Sequence, residues 1–235
     1  GSPKDEPKES TGRVTLDVAS LDVRPGDRLV VSIEARDNDT VSGPKAGVSA
    51  NRLLKVFSAA EHHEELIGKQ EELLRRMVVQ LADELETPLS VPSDGNTTPP
   101  EAEAERWLAQ TRRGQTIAEA LATLADAFAK DELAPVEVAR ALRNIRTDLA
   151  KYYDELSGLA TEMANQVRTT SRFPEHYATR SKRLGHQVAT RLELHILYME
   201  DLIGKQRLSQ AQDAAKELAA TQARLRDLLE EFKKA

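Results

Sequence analysis

The sequence predicts a mainly α protein: an elongated antiparallel helical bundle or coiled coil of about four helices, the last very long, preceded by a small three-stranded antiparallel β segment. Two observations carry this. Apolar residues alternate with polar ones before Ser58, then recur at spacings of three and four to the end of the chain. The composition, 31% charged and 4% aromatic with one tryptophan, suits long amphipathic helices better than an enzyme with a deep apolar pocket.

Residues 1–12 are polar with no apolar period and read as a disordered leader. The β segment spans 13–58. Strand alternation is read in RVTLDV (Val14, Leu16, Val18), in DRLVVSIEARD (Leu29, Val31, Ile33, Ala35) and in NRLLKVF (Leu53, Lys55, Phe57). Pro25-Gly26 supplies a tight turn between the first two, and a loop dense in turn residues separates the last two. Three strands cannot enclose a core, and this grouping resembles the closing strands of an immunoglobulin-like sandwich, so a piece of a larger domain is expected.

The helical bundle is expected over 59–235, with a flexible loop at 87–100. SAAE, residues 58–61, has the form of a capping box. The first helix carries Leu66, Leu73, Leu74, Met77, Val78, Leu81 and Leu85 along one stripe before the prolines of TPLSVPSDGNTTPP. The second begins after Pro99-Pro100 with acidic residues and carries Trp107, Leu108, Ile117, Leu121, Leu124 and Phe128. DELAP makes the next turn, with Pro135 in a first-turn position. The third helix has the sharpest period, Leu142, Ile145, Leu149, Tyr152, Leu156, Leu159, Met163 and Gln166, a coiled-coil seam.

Pro174 is expected to open the fourth helix, and no proline follows it. Its buried side is marked by Leu184, Val188, Leu192, Met199, Leu202, Leu218, Leu225 and Phe232. About 60 helical residues extend about 90 Å at 1.5 Å per residue. Short turns make consecutive helices antiparallel, so the third covers the fourth to about residue 210, and 211–235 overhang with apolar residues needing cover.

The pentapeptide LIGKQ occurs at 66–70 and again at 202–206. Extending the alignment loses the apolar phase, which excludes a long duplication. Gly68 and Gly204 each cost about 1 kcal/mol relative to Ala inside a helix, and a close helix crossing between them is the expected reason.

No cofactor, catalytic residue or metal site is predicted. The chain has no cysteine, which excludes a disulfide framework and a thiolate zinc site. No nucleophile elbow or Gly-rich phosphate loop occurs. His62 and His63 point about 100° apart on a helix, and Asp37, Asn38 and Asp39 fall short of the six to eight oxygens calcium takes, so both groups read as polar turns. The net charge of −6 opposes bulk attraction to nucleic acid or an anionic membrane. Between Asn165 and Arg191, however, Arg168, Arg172, Arg180, Lys182, Arg183 and Arg191 stand against a single acid, Glu175. This basic tip is a possible seat for an anionic surface, although no recognised nucleic-acid motif accompanies it. No run is apolar enough to span a membrane.

Where VRPGDRLVVSIEARDNDTVSGP runs into FSAAEHHEELIGKQEELLRRM, the chain resembles an uncharacterised family, a domain of unknown function, of large membrane-anchored bacterial envelope proteins with Ig-like strands followed by long helices. The resemblance implies a periplasmic or extracytoplasmic position and no established activity. The expected function is a non-enzymatic scaffold or protein-interaction module of the cell envelope, associating with a protein partner or with itself through 174–235. The alternative is a cytoplasmic helical adaptor whose basic tip, 165–191, binds nucleic acid or another anionic surface.

Overall fold

A computed structural model describes residues 12–36, 43, 45–89, 99–170, 172 and 177–234. The chain divides into two compact units, residues 1–61 and 62–235. In the first, Asp27 N–H donates to the Arg24 carbonyl at 3.0 Å and Gly26 sits at φ 92°, a conformation that favours glycine and closes the expected tight turn. Four short strands follow: β1 (Arg28–Val31), β2 (Glu34–Arg36), β3 (Ala46–Val48) and β4 (Arg52–Lys55). β1 pairs antiparallel with β4, placing Arg28 opposite Lys55, and β2 pairs antiparallel with β3, placing Glu34 opposite Val48. Between the two ladders, residues 32–33 face 49–51, so the returning strand carries one extra residue, a β-bulge. Ser49 closes it, its Oγ accepting from Ile33 N–H and its own N–H donating to the Ile33 carbonyl, both at 2.8 Å.

The three expected strands are therefore corrected to a bulged two-stranded ribbon. The stretch around Val14 forms no strand and ends in a single 3₁₀ turn, Val18–Ser20; Val14 is 93% exposed, with neither a ladder nor an apolar surface to hold it. The second expected strand is divided by the bulge, and its far half pairs with β3, which arises from what reads as loop. Asp37, Asn38 and Asp39 lie outside the described residues.

The four helices are α1 (Ala59–Glu86), α2 (Pro100–Phe128), α3 (Val136–Thr170) and α4 (Ala178–Lys234). Ser58 Oγ accepts from Glu61 N–H at 3.3 Å, one half of the expected capping box. The Glu61 carboxylate instead pairs with Lys55 Nζ at 2.8 Å. α2 starts with Pro100 in its first turn, where a missing N–H costs nothing, and with Glu101 and Glu103 against its positive end. The turn into α3 is organised by Asp131, whose Oδ1 accepts from Leu133 N–H at 3.1 Å. Pro174 lies outside the described residues.

Polar contacts fix the arrangement in the second unit. α1 and α2 are joined by Asp83–Arg113 and by Gln80 to the Gln110 carbonyl, and α2 and α3 by Gln115–Asp154 and Asp126–Arg143. α3 meets α4 through Asp148–His195, and α4 meets α1 through Arg207–Glu64 and Gln70–Met199. Each pairing runs antiparallel, giving an up-down-up-down bundle. One apolar core runs through all four helices, from Leu66 and Met77 through Trp107, Leu121, Leu149 and Leu156 to Leu192 and Met199.

Several expected core positions are displaced. In α3 the seam uses Tyr153 and Val167 rather than Tyr152 and Gln166. Tyr152 lies nearer the surface beneath Lys151 and Arg191, whose cations stand 5.8 and 5.6 Å from its ring centre. In α1, Val78 and Leu85 are exposed, and Ile67, Gln70, Gln80 and Glu84 are buried. Leu89, in the stretch read as a flexible loop, is fully buried and lies within 4 Å of where a Cβ on Gly185 would be.

The two LIGKQ copies do lie across from one another in the α1–α4 pair, bracketed by the Gln70–Met199 and Arg207–Glu64 contacts. Their leucines, isoleucines and glutamines are buried. Gly68 and Gly204 are not the reason: a Cβ on either would meet nothing within 4 Å, so the expected glycine crossing is corrected. The close approach belongs to Gly114 of α2, where an added Cβ would fall 2.0 Å from Tyr153 Cε1.

Candidate functional site

The bundle covers α4 only through its first half. Gln206 is the last buried residue of the helix, and every described residue from 211 to 234 is exposed. The covered part ends at an ion cluster, where Arg207 Nη1 lies 2.6 Å from Glu64 and Nη2 2.8 Å from Glu71. The Arg207 hydrogen bond holds the Glu64 carboxyl below the ordinary range. Beyond it Leu218 is 61% exposed, Leu225 55%, Leu229 60% and Phe232 82%. Leu218, Leu225 and Phe232 are read from sequence as part of a buried side; within this chain they and Leu229 are exposed, because α1 and α3 do not reach them.

The apolar surface is not confined to that end. Leu194 and Leu197, beside the bundle, are 50% and 59% exposed, and Leu208 is 59%. These three are absent from the sequence-based list, although their spacing of three and then eleven continues the helical period. Their side of α4 lies opposite the buried stripe of Leu192, Ile196, Met199, Ile203 and Gln206, since two residues turn a helix by about 200°.

The basic tip is divided rather than uniform. Arg180 stands 4.0 Å from Glu155 and 3.8 Å from Glu162, and Arg191 stands 3.8 Å from Asp148, so both face acids of α3. Arg168 Nη2 donates to Asn165. Among the described residues no ion pair holds Arg172, Lys182 or Arg183; the last two line a shallow groove along the start of α4 with Thr179 and His186. Glu175 lies outside the described residues.

Inside the bundle a polar cluster joins three helices. Gln80 Nε2 donates to Glu84 Oε1 at 2.8 Å and to the Gln110 carbonyl at 3.3 Å. Among the described residues Glu84 Oε2, Gln110 Nε2 and the Tyr153 hydroxyl have no hydrogen-bond partner. Burial pushes the Glu84 carboxyl up to about 7, against the opposing pull of the Gln80 and Gln110 amides and the Arg113 charge. Burial also raises Tyr153 well above its ordinary value, with the Glu84 charge adding to it.

Two histidines, His63 and His195, join helices or turns of the bundle. His63 is buried, donates from Nδ1 to Asp131 at 2.6 Å and meets Phe128 edge-on; His195 Nε2 donates to Asp148 at 2.8 Å. Among the described residues no cluster of three or more His, Asp or Glu side chains could hold a metal ion, and no helix is long and apolar enough to cross a membrane. The fold and these surfaces together define a four-helix antiparallel bundle with one over-long, apolar-faced helix. No protein-family model, curated protein or solved structure matches the chain.

Proposed function

We propose that the chain is a non-enzymatic interaction module of the bacterial cell envelope, in which the bundle presents α4 as a contact helix for coiled-coil association. The observation that carries this is the exposure of the whole described stretch 211–234 together with its leucines and Phe232. In proteins most helical stability comes from packing an apolar face, and the bundle gives this stretch no such cover. Contiguous exposed apolar surface on an otherwise charged chain marks an interaction site. The envelope setting is supported by the resemblance at the junction of the β segment and α1.

The test is a photo-reactive residue at Leu225 of the chain in its native cell. A discrete cross-linked species of defined mass is expected from Leu225 and not from Glu119, on the exposed side of α2. Equal labelling at both positions, or none at either, overturns the proposal.

A further inference from the structure

We propose that the partner of α4 is α4 of a second copy of this chain, lying antiparallel along a seam from Leu194 to Phe232 and centred on Asp213. The proposal deepens the reading of α4 as a contact helix and rests on it. From Leu194 onward, steps of three and four residues alternate without a break to Phe232, the repeat of a two-stranded coiled coil. Only Asp201 and Gln222 are polar along that line. The seam faces away from α1 and α3, so a second helix laid on it meets neither of them.

Charge selects the orientation. Residues 192–201 carry Glu193, Glu200 and Asp201 with no lysine or arginine, whereas residues 224–234 carry Arg224, Arg226, Lys233 and Lys234 beside Asp227, Glu230 and Glu231. A parallel, in-register pair would set Asp201 against Asp201 within the seam. The antiparallel pair sets Asp201 opposite Leu225 of the second copy, with Arg226 of that copy at the level of Asp201 and Tyr198.

Size selects the register. Centred on Asp213, the seam puts Leu194 opposite Phe232, Leu197 opposite Leu229 and Leu208 opposite Leu218. Gly204, with nothing within 4 Å of its absent side chain, falls opposite Gln222, the one long polar residue that needs room. Sliding by one heptad toward the start of α4 sets Leu229 and Phe232 opposite Thr190 and Gln187, which are not apolar. In the centred register each copy's uncovered end lies on the other's bundle-backed half.

The chain has no cysteine, so single introduced cysteines report the alignment cleanly. Light scattering of the purified chain is expected to give twice the chain mass, and Leu225→Asp to weaken association by about tenfold or more with the melting of the bundle unchanged at dilutions where both are monomeric. Under mild oxidation Ala214→Cys, beside the proposed axis, should link to itself. Leu197→Cys should not, but should link to Leu229→Cys when the two are mixed. Self-linking of Leu197→Cys would mean a parallel pair and overturn the proposal, as would a monomer at every concentration. A monomer whose Leu225 labels a different protein in the cell removes the second copy and leaves α4 as a contact helix; a monomer that labels nothing removes both.

Discussion

Glu84 is a carboxyl placed where a carboxylate is costly. It is 4% exposed, and the groups that face it are Gln80 and Asp83 from α1, Gln110 and Arg113 from α2 and Tyr153 from α3. Its folded pKa of about 7 lies above the ordinary 4.5, so between those values the unfolded chain loses a proton that the folded chain keeps. The contribution of Glu84 to stability is full below about pH 4.5, falls as the pH rises to about 7, and then stays reduced by about 3 kcal/mol. Glu84→Gln should remove that dependence and raise the melting temperature at pH 8 above the parent's; equal parent and variant profiles in thermal melts from pH 4 to 8 would refute the assignment. Gly114→Ala should cost about 1–3 kcal/mol by overpacking against Tyr153, less the roughly 1 kcal/mol that alanine contributes to a helix. Tyr153→Leu should relieve that clash, making the double variant less unstable than the sum of the singles in denaturant titrations.

The displaced core positions have a common cause at this scale. A stripe read from apolar residues alone runs Met77, Leu81, Leu85, whereas the buried line runs Met77, Gln80, Glu84. Glutamines at 70, 80, 110 and 206 occupy interior positions in the same way. A polar residue that continues a helical stripe looks, in sequence, like its edge. The cluster around Glu84 was illegible for that reason.

Among the elements, the helices were readable because their ends carry local chemistry: Ser58 before α1, Pro100 in the first turn of α2, Asp131 before α3. The strands were less so, because a strand exists only through its partner. The alternation around Val14 reads as well as that of β1, but no ladder holds it, and β3 has almost no alternation and pairs nonetheless. The basic tip was legible as a composition and misleading as a patch, since α3 presents acids to Arg180 and Arg191 that are distant in sequence. For α4, a chain ending after Gln210 loses 211–234, all exposed within one chain, so at dilutions where both are monomeric its bundle should melt within about 0.5 kcal/mol of the parent's stability while mean helicity falls. A larger loss in a thermal melt followed by circular dichroism would show that 211–234 pack on the bundle.

For the helical unit as a whole, the order of neighbours follows from connection length. α2 and α3 are separated by seven residues and α3 and α4 by seven, too few to reach anything but an adjacent antiparallel position. At the start of the longer link between α1 and α2, Leu89 is buried beside Gly185. That single leucine among turn residues was the available signal that the stretch begins packed against the bundle. The same topology brings the two LIGKQ copies together: antiparallel neighbours place two identical apolar-apolar-Gln triplets face to face, a local twofold likeness without a duplicated gene segment.

The outer seam of α4 repeats every seven residues, but a straight α-helix turns 3.6 residues per cycle and drifts about 20° per heptad against such a line. Over the five heptads from Leu194 to Leu229 the apolar line therefore rotates by about 100° around the helix. A partner following it must wind left-handedly. Up to Gln206 the helix is clamped by α1 and α3 and cannot yield, so the bending falls on 211–234, which nothing in the bundle restrains. The uncovered end is thus the compliant half of a two-part rod: rigid where it is packed, and free to coil where it meets its mate.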